Sequence, residues 1–346
     1  MTPLPDSGVR TERLRTEGLL LKLEVMGQPT AALAARRQTP RPTTIIEAPR
    51  LGQKLGANLL IATETFQRTG SFKFRATSHL ASQVPHPLII AASSGNFGQA
   101  LAYACSLTGK RSIIVMPQTS ARVKVDAVRE YGGEVDFVDV RAKGRAARVA
   151  ELAAAHPEAY IASAYDDPLV IEGNSSLGEE LARIGHPSDR PPNYPIDCIV
   201  APLGGGGLTS GIIMGLRRAG SSIEVVGAEP LLGNDGARSL RAGRIVANES
   251  EPQTIADGAR TVSLGVHNWA ILKDGLGGIV EVPEENIARG VRLLFELANL
   301  KAEPTGALPI GALLSDPGRF RGRDVCCVIS GGNVDPAVYR ELLAAT

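Results

Sequence analysis

Short, unbroken apolar runs recur along this chain, each separated from the next by an alanine-rich stretch of helical period, and this alternation limits the fold more than any other feature. The runs are Leu59-Leu60-Ile61-Ala62, Leu88-Ile89-Ile90-Ala91, Ser112-Ile113-Ile114-Val115, Val135-Asp136-Phe137-Val138, Asp197-Cys198-Ile199-Val200, Glu224-Val225-Val226-Gly227, Gly278-Ile279-Val280-Glu281 and Val325-Cys326-Cys327-Val328. A strand that is apolar on both faces must be covered on both faces, so an α/β architecture of open parallel sheets between helical layers follows. Helices are expected near 71–82, 97–108, 120–131, 142–155, 168–184, 208–219, 285–299 and 305–314, most of them stopped by Gly or Pro signals. The length of 346 residues suggests two domains at roughly 150 residues each.

Composition excludes several function classes. Net charge is +1, from 37 basic and 36 acidic residues without a long run of either sign, and aromatic content is 4%. Nucleic acid and anionic membrane surfaces are therefore not expected partners. No apolar stretch reaches the ~20 residues that span a bilayer, and the N-terminus lacks a secretory core, so a cytoplasmic location is expected. Residues 1–40 read as an arginine-rich, partly helical extension closed by Pro40 and Pro42, and His186 to Pro195 as an exposed loop. Cys105, Cys198, Cys326 and Cys327 lack the paired spacing of a metal or redox site and read as buried small hydrophobes.

Lys73 stands in Gly70-Ser71-Phe72-Lys73-Phe74-Arg75, flanked by apolar and small residues just after an expected strand. Burial lowers a lysine pKa, and a neutral amine attacks carbonyls, so this residue is a candidate for Schiff-base chemistry. A lysine whose stem covers apolar surface is the alternative. Three loops of unusual composition fall where ligands bind in parallel sheets, beyond strand carboxyl ends. In Gly204-Gly205-Gly206-Gly207-Leu208 the backbone amides can turn inward at a helix start and hold a phosphate, although four glycines also make a flexible turn. The run matches neither a dinucleotide fingerprint nor a Walker loop. Ser93-Ser94-Gly95-Asn96-Phe97 offers hydroxyls, a carboxamide and open amides to a substrate carboxylate, or simply caps a helix. Ser330-Gly331-Gly332-Asn333 reads equally well as a turn.

The motifs Gly-Ser-Phe-Lys-Phe-Arg-Ala, Ser-Ser-Gly-Asn, the glycine tetrad before Leu208-Thr209-Ser210-Gly211, and Ser330 to Asn333 follow one another in a familiar order. So do Met116-Pro117, the Asp166-Asp167-Pro168 turn, Thr254-Ile255-Ala256-Asp257-Gly258 and Glu303-Pro304-Thr305-Gly306-Ala307. From about residue 42 to 335 the chain resembles the threonine dehydratase and serine racemase group of fold-type II pyridoxal-phosphate enzymes. The resemblance implies a large cofactor-binding domain of 41–82 plus 164–346, a small domain of 83–163, and pyridoxal 5'-phosphate in the cleft between them. It implies a homodimer, and because only a short helix follows Ser330 to Asn333, no C-terminal regulatory domain is expected. It also implies that Lys73 carries the Schiff base and moves a proton, that Gly204 to Gly207 with Leu208 hold the phosphate, that Phe72 and Asn96 touch the cofactor, and that Ser330 faces the pyridine nitrogen. A neutral hydroxyl there makes the ring a weaker electron sink than a carboxylate would, which suits elimination of a β-hydroxyl. The expected activity is an ammonia-lyase acting on L-threonine, L-serine or a related β-hydroxy amino acid. Serine racemisation and 3-hydroxyaspartate dehydration are the alternatives, with an inactive amino-acid-binding homologue a remote third.

The resemblance also places a divalent cation, Mg²⁺ or Ca²⁺, on Glu229, the Gly233 carbonyl and Asp235, all hard oxygen donors. A solvated acidic turn is the alternative. The chain departs from the group's pattern at Phe97, where most relatives carry histidine, and at Gly173-Asn174-Ser175-Ser176 in place of the usual helix entry. Ser94 decides the most: serine racemases use a serine there as the proton donor opposite the lysine, whereas many dehydratases have alanine. A cap or carboxylate-binding role explains the hydroxyl as well.

Overall fold

In the computed structural model, which describes residues 38–344 apart from Ser94, Ala121 and 186–193, strands and helices alternate as the apolar runs require. All but the last three residues of the proposed 1–40 extension, and most of the 186–195 loop, lie outside the described residues. Residues 39–346 form one compact unit built on two sheets. The strands are β1 (Thr44–Glu47), β2 (Asn58–Thr63), β3 (Leu88–Ala92), β4 (Arg111–Pro117), β5 (Glu134–Val138), β6 (Ala159–Ala162), β7 (Cys198–Pro202), β8 (Glu224–Pro230), β9 (Gly278–Val282) and β10 (Asp324–Ile329). One sheet runs β1-β2-β10-β7-β8-β9 and the other β5-β4-β3-β6.

Every pairing is parallel except β1 with β2. The antiparallel β1 and the short β6 were not among the expected runs. Both are edge strands, only partly buried, so they lack the continuous apolar signature of the strands between them. The expected helices appear within a residue or three, and the helices Pro49–Leu55, Asp235–Ala242 and Val266–Gly275 are among the additional ones.

Successive residues of each central strand feed opposite cores. Leu59, Ile61, Cys198, Val200 and Cys327 join one cluster of the six-stranded sheet, and Leu60, Ala62, Ile199, Ala201 and Cys326 join the other. In the four-stranded sheet Ile89, Ala91 and Ile114 pack on one side, and Leu88, Ile90 and Ile113 on the other. That division is the physical meaning of an unbroken apolar strand. All four cysteines are buried and free, and burial pushes the thiols of Cys105 and Cys326 up to about 12, so they are inert packing residues. No helix among the described residues is long and apolar enough to cross a membrane.

Candidate active site

The carboxyl ends of β2, β10 and β7, three neighbours in one sheet, deliver three of the loops singled out above. After β2 the chain turns through Thr69, held at φ 64, and enters the helix Lys73–Gln83 with Lys73 as its first residue. The amide of Phe72 donates to the Ser330 carbonyl at 2.9 Å, and Ser71 bridges Gly331, so the lysine turn is sewn to the loop after β10. The Lys73 Nζ donates to the Ala164 carbonyl at 2.6 Å and lies 4.9 Å from the Phe72 ring centre and 5.5 Å from that of Phe97. Burial lowers its pKa to about 8, and the nearby Glu303 carboxyl acts in the opposite direction. An amine with that pKa is partly neutral in a neutral solution, as a nucleophile for a carbonyl must be.

The glycine loop follows β7 and opens the helix Gly207–Arg218. Gly206 sits at φ +99, which an L side chain rarely adopts, and a Cβ on Gly205 would come 2.2 Å from the Tyr165 ring. The buried Asn268 carboxamide donates to the carbonyls of Gly205 at 2.9 Å and Tyr165 at 3.0 Å. The amide of Gly265 adds a second bond to the Gly205 carbonyl, at 3.1 Å. Because a trans peptide points its N–H opposite its C=O, tying the Gly205 carbonyl outward turns the Gly206 N–H inward. The amides of Gly205, Gly206, Gly207 and Leu208 donate to no protein acceptor among the described residues. Open donors at a helix start make an anion cradle. Leu208 itself packs into the core behind the cradle.

Ser330 is 1% exposed and its Oγ has no hydrogen-bond partner. A buried hydroxyl without a partner is costly unless a ligand supplies one. Beside it, the loop after β3 supplies Ser93, Gly95, Asn96 and Phe97. The Ser93 hydroxyl accepts from the amides of Gly95 at 3.3 Å and Gly98 at 3.0 Å, so it caps the helix Asn96–Leu107. Phe97 is 2% exposed and faces the lysine. Ser94 lies outside the described residues. Asn96 reaches across the molecule to Glu303, donating to its two carboxylate oxygens at 2.8 and 3.0 Å.

Three residues that hold this arrangement have no assigned role in the sequence reading: Asn268, Tyr165 and Glu303. Glu303 stands inside a quoted motif and Tyr165 directly before one, whereas Asn268 has no local signal, since its work lies in contacts across 63 and 103 positions.

Of the three proposed cation ligands, Glu229 and Asp235 lie close enough for their charges to interact. Glu229 is fully buried at the end of β8 and accepts from the amides of Gly236 at 2.8 Å and Ala237 at 2.9 Å. Asp235 accepts from Asn248 at 2.9 Å through Oδ1, while its buried Oδ2 has no partner. Burial, and the negative charge of Asp235, push Glu229 up to about 8, and burial pushes Asp235 up to about 7. Two adjacent buried carboxyls with one open oxygen fit a hard divalent cation, although the described residues contain no group of three or more acid, His or Cys ligands.

Two ion pairs cross between the loops of the two sheets. Lys124, on the helix Arg122–Glu130 after β4, meets Asp257 at 2.6 Å, and Arg145, on the helix Arg145–Ala155, meets Glu251 at 3.0 Å. Asp257 precedes Gly258, whose carbonyl would lie 3.3 Å from a Cβ on Gly204 and whose amide is held by Thr305 at 2.9 Å. The Lys124 pair therefore stands at the rim of the cradle.

Residues 36–331 match the model of the family described as pyridoxal-phosphate dependent enzyme. The chain is similar to an L-threo-3-hydroxyaspartate ammonia-lyase of Pseudomonas sp, 35% identical over 305 residues, covering 87% of this chain and 92% of that one. It is also similar to the serine racemase of Homo sapiens, 33% identical, covering 85% of this chain and 86% of the relative. Among solved structures, a threonine deaminase from T.th. superposes with a TM-score of 0.80 at 36% identity, covering 87% of this chain and 96% of that one. The solved structure thus shares the α/β architecture over most of this chain.

Proposed function

Because the chain belongs to the family of pyridoxal-phosphate dependent enzymes, we propose that it is an ammonia-lyase that removes the β-hydroxyl of an L-threonine- or L-serine-type amino acid and yields a 2-oxo acid and ammonia. The observation that carries this reading is the conjunction of the Lys73 amine, the unpartnered Ser330 hydroxyl and the open amides of Gly205 to Leu208 on adjacent strand ends. The bound cofactor supplies an aldehyde for covalent attachment and a ring that draws electrons from the substrate Cα. Lys73 is the attachment point and then the base that takes the Cα proton. Gly204 to Gly207 with Leu208 would hold the phosphate, and Phe72 and Asn96 would flank the ring.

With the cofactor bound, Ser330 would offer the ring nitrogen a neutral hydroxyl, which cannot hold a positive charge as a carboxylate would. Charge left at Cα by proton removal would then best be discharged at once into the C–O bond, so the hydroxyl would leave as water, the proton Lys73 took from Cα balancing the one the hydroxyl takes up. The released enamine tautomerises and hydrolyses to the oxo acid and ammonia. Ser93, Gly95, Asn96 and Phe97 form the substrate side of the cavity, with amide donors for the carboxylate and an apolar wall at Phe97. Glu229, the Gly233 carbonyl and Asp235 would hold Mg²⁺ or Ca²⁺ in a supporting site. A small domain of 83–163 and a homodimer in the cytoplasm complete the proposal.

A second reading narrows the substrate to 3-hydroxyaspartate. Lys124 brings a cation to the rim of the cradle, neutralised by the half-exposed Asp257 carboxylate that a substrate's second carboxylate can displace. The ammonia-lyase and dehydratase relatives named for hydroxyaspartate, at 31–35% identity, support it. Racemisation is the third outcome and depends on Ser94. One experiment separates the three: ammonia and oxo acid release from L- and D-serine, L-threonine and both 3-hydroxyaspartate diastereomers, with chiral analysis of the residual amino acid. A cofactor-loaded protein that releases no oxo acid from any of these would overturn the lyase reading. D-serine formed from L-serine without oxo acid would favour the racemase.

A further inference from the structure

We infer that Glu303 is a positioning residue of this site, which fixes the Asn96 carboxamide and, by its charge, sets the proton affinity of the Lys73 amine. The inference rests on the assignment of Lys73 as the attachment point and base.

Geometry supports the first half. The Asn96 Oδ1 already accepts from Asn333 at 2.8 Å and from Gln99 at 3.2 Å. Its orientation is thereby fixed, and the Nδ2 must find an acceptor on the opposite side. Both oxygens of Glu303 stand there, at 2.8 and 3.0 Å. Glu303 is itself clamped: its amide donates to the Gly331 carbonyl at 3.1 Å, and any side chain at Gly331 would press its Cβ within 2.7 Å of Oε1. Exchanging Glu303 for a residue without an acceptor leaves the Asn96 amide free to turn.

The second half follows from the same loop. Phe72 donates to the carbonyl of Ser330 and Glu303 to the carbonyl of Gly331, so Glu303 and the residue directly before Lys73 hang from consecutive carbonyls of one backbone segment. Glu303 is 4% exposed. Burial, then the charge of Asp257, push its carboxyl up to about 8, while the Asn96 bond and the charges of Lys124 and Lys73 act the other way. The same Glu303 charge raises the Lys73 amine against the burial that lowers it to about 8. Two enclosed groups of opposite charge that titrate in one range hold their protons jointly. A negative Glu303 favours a proton at the lysine nitrogen, and a neutral Glu303 releases it.

The test uses the cofactor-loaded enzyme, with the visible absorbance band titrated against pH and kcat and KM measured alongside. Glu303→Gln keeps the size and removes the charge. Taking a negative charge from beside a protonated nitrogen makes that proton easier to lose, so the midpoint should fall by about 1 pH unit or more. Glu303→Asp keeps the charge but shortens the reach to Asn96, so its midpoint should stay near that of the parent while kcat drops. A Gln midpoint within about 0.2 unit of the parent, a negligible change in interaction between the two protonation states, would remove the electrostatic role. Unchanged kcat and KM in the Asp variant would remove the positioning role, and this variant also serves if the Gln protein does not fold. Lys73→Ala keeps the two questions apart. Turnover that survives in Lys73→Ala refutes the lysine assignment itself, whatever the Glu303 variants do.

Discussion

Replacing Arg75 by methionine should loosen the lysine turn more than any surface change, and the size of the effect can be worked out from its contacts. Arg75 lies two residues past Lys73 on the same helix and is 1% exposed. Its Nε and Nη2 meet the two oxygens of Glu64 at 2.7 and 2.9 Å, and Nη1 and Nη2 meet Glu180 at 2.8 and 3.0 Å. Further bonds go to Ser176 at 3.1 Å and to the Arg41 carbonyl at 3.2 Å. This guanidinium therefore ties the lysine helix to the end of β2, to the helix Pro168–Gly185 and to the segment entering β1.

Methionine fills most of the volume and removes every bond. Glu180 is partly exposed and keeps its bond from the Thr43 amide, so it can turn to water. The Glu64 side chain is fully buried and keeps only Gln67 at 3.3 Å. Breaking a buried pair from one side leaves an uncompensated charge, at a cost of about 3–5 kcal/mol. At about 2.1 cal/mol/K of unfolding entropy per residue, a chain of 346 residues shifts by roughly 1.4 °C per kcal/mol, so Tm should fall by about 4–7 °C. The assay is thermal unfolding of the cofactor-loaded protein followed by circular dichroism. The double variant Arg75→Met with Glu64→Leu removes the stranded charge and should recover more than half of the loss, since a buried pair exchanged for apolar side chains is often neutral. A single-variant loss under about 1 kcal/mol, or a double variant no better than the single, would refute the reasoning.

Three further outcomes are expected. Gly205→Ala places a Cβ 2.2 Å from the Tyr165 ring and should weaken cofactor binding by about tenfold or more, measured as Kd by fluorescence, because displacing the ring disturbs the cradle it lines. Reconstitution of the apoprotein with pyridoxal phosphate should accelerate as pH rises through about 8 and then level off, since only the neutral Lys73 amine attacks the aldehyde; a rate independent of pH between about 6 and 9 would contradict the lowered pKa. Lys124→Gln should raise KM for 3-hydroxyaspartate by about tenfold while changing KM for L-serine less than about twofold, as loss of one charge-assisted contact costs about 1.5–3 kcal/mol; equal effects on both substrates would remove Lys124 from side-chain recognition.

Six of the eight strands that the sequence revealed lie inside the two sheets and are apolar on both faces, whereas β5 and β9, legible from Val135-Asp136-Phe137-Val138 and Gly278-Ile279-Val280-Glu281, are edge strands only partly buried. β6, with Ile161 41% exposed, and β1, with no residue of Thr44–Glu47 fully buried, carry no such signal. The helix Val266–Gly275 was equally silent. Its N-terminus is held by Asp166, whose carboxylate accepts from the amides of Val266 and His267 at 2.9 Å each, so tertiary contact replaces the local cap that marks a helix start. The site divides the same way. Lysine, cradle and Ser330 are local motifs at strand ends, whereas the Asn96 to Glu303 bond spans 207 positions and leaves no mark in either segment.

Sheet order converts those separate motifs into one site. β10 lies between β2 and β7 in register, with Cys327 paired to Ile61 on one side and to Val200 on the other. Parallel strands stand about 4.8 Å apart, so the Ser330 loop after β10 begins one spacing from the lysine turn after β2 and one from the glycine cradle after β7. Lysine and cradle strands are then about 10 Å apart, with an unpartnered hydroxyl between them. A ligand engaging all three needs an electrophilic carbon at one end, a hydrogen-bonding edge in the middle and an anion at the other end. A longer or shorter crossover leaves this spacing unchanged, because it follows from strand order alone. A one-residue slip of β10 would turn Cys326 and Cys327 to the wrong cores and move Ser330 out of line with both neighbours. The packing that fixes the register of β10 thus also fixes the geometry on which the chemistry depends.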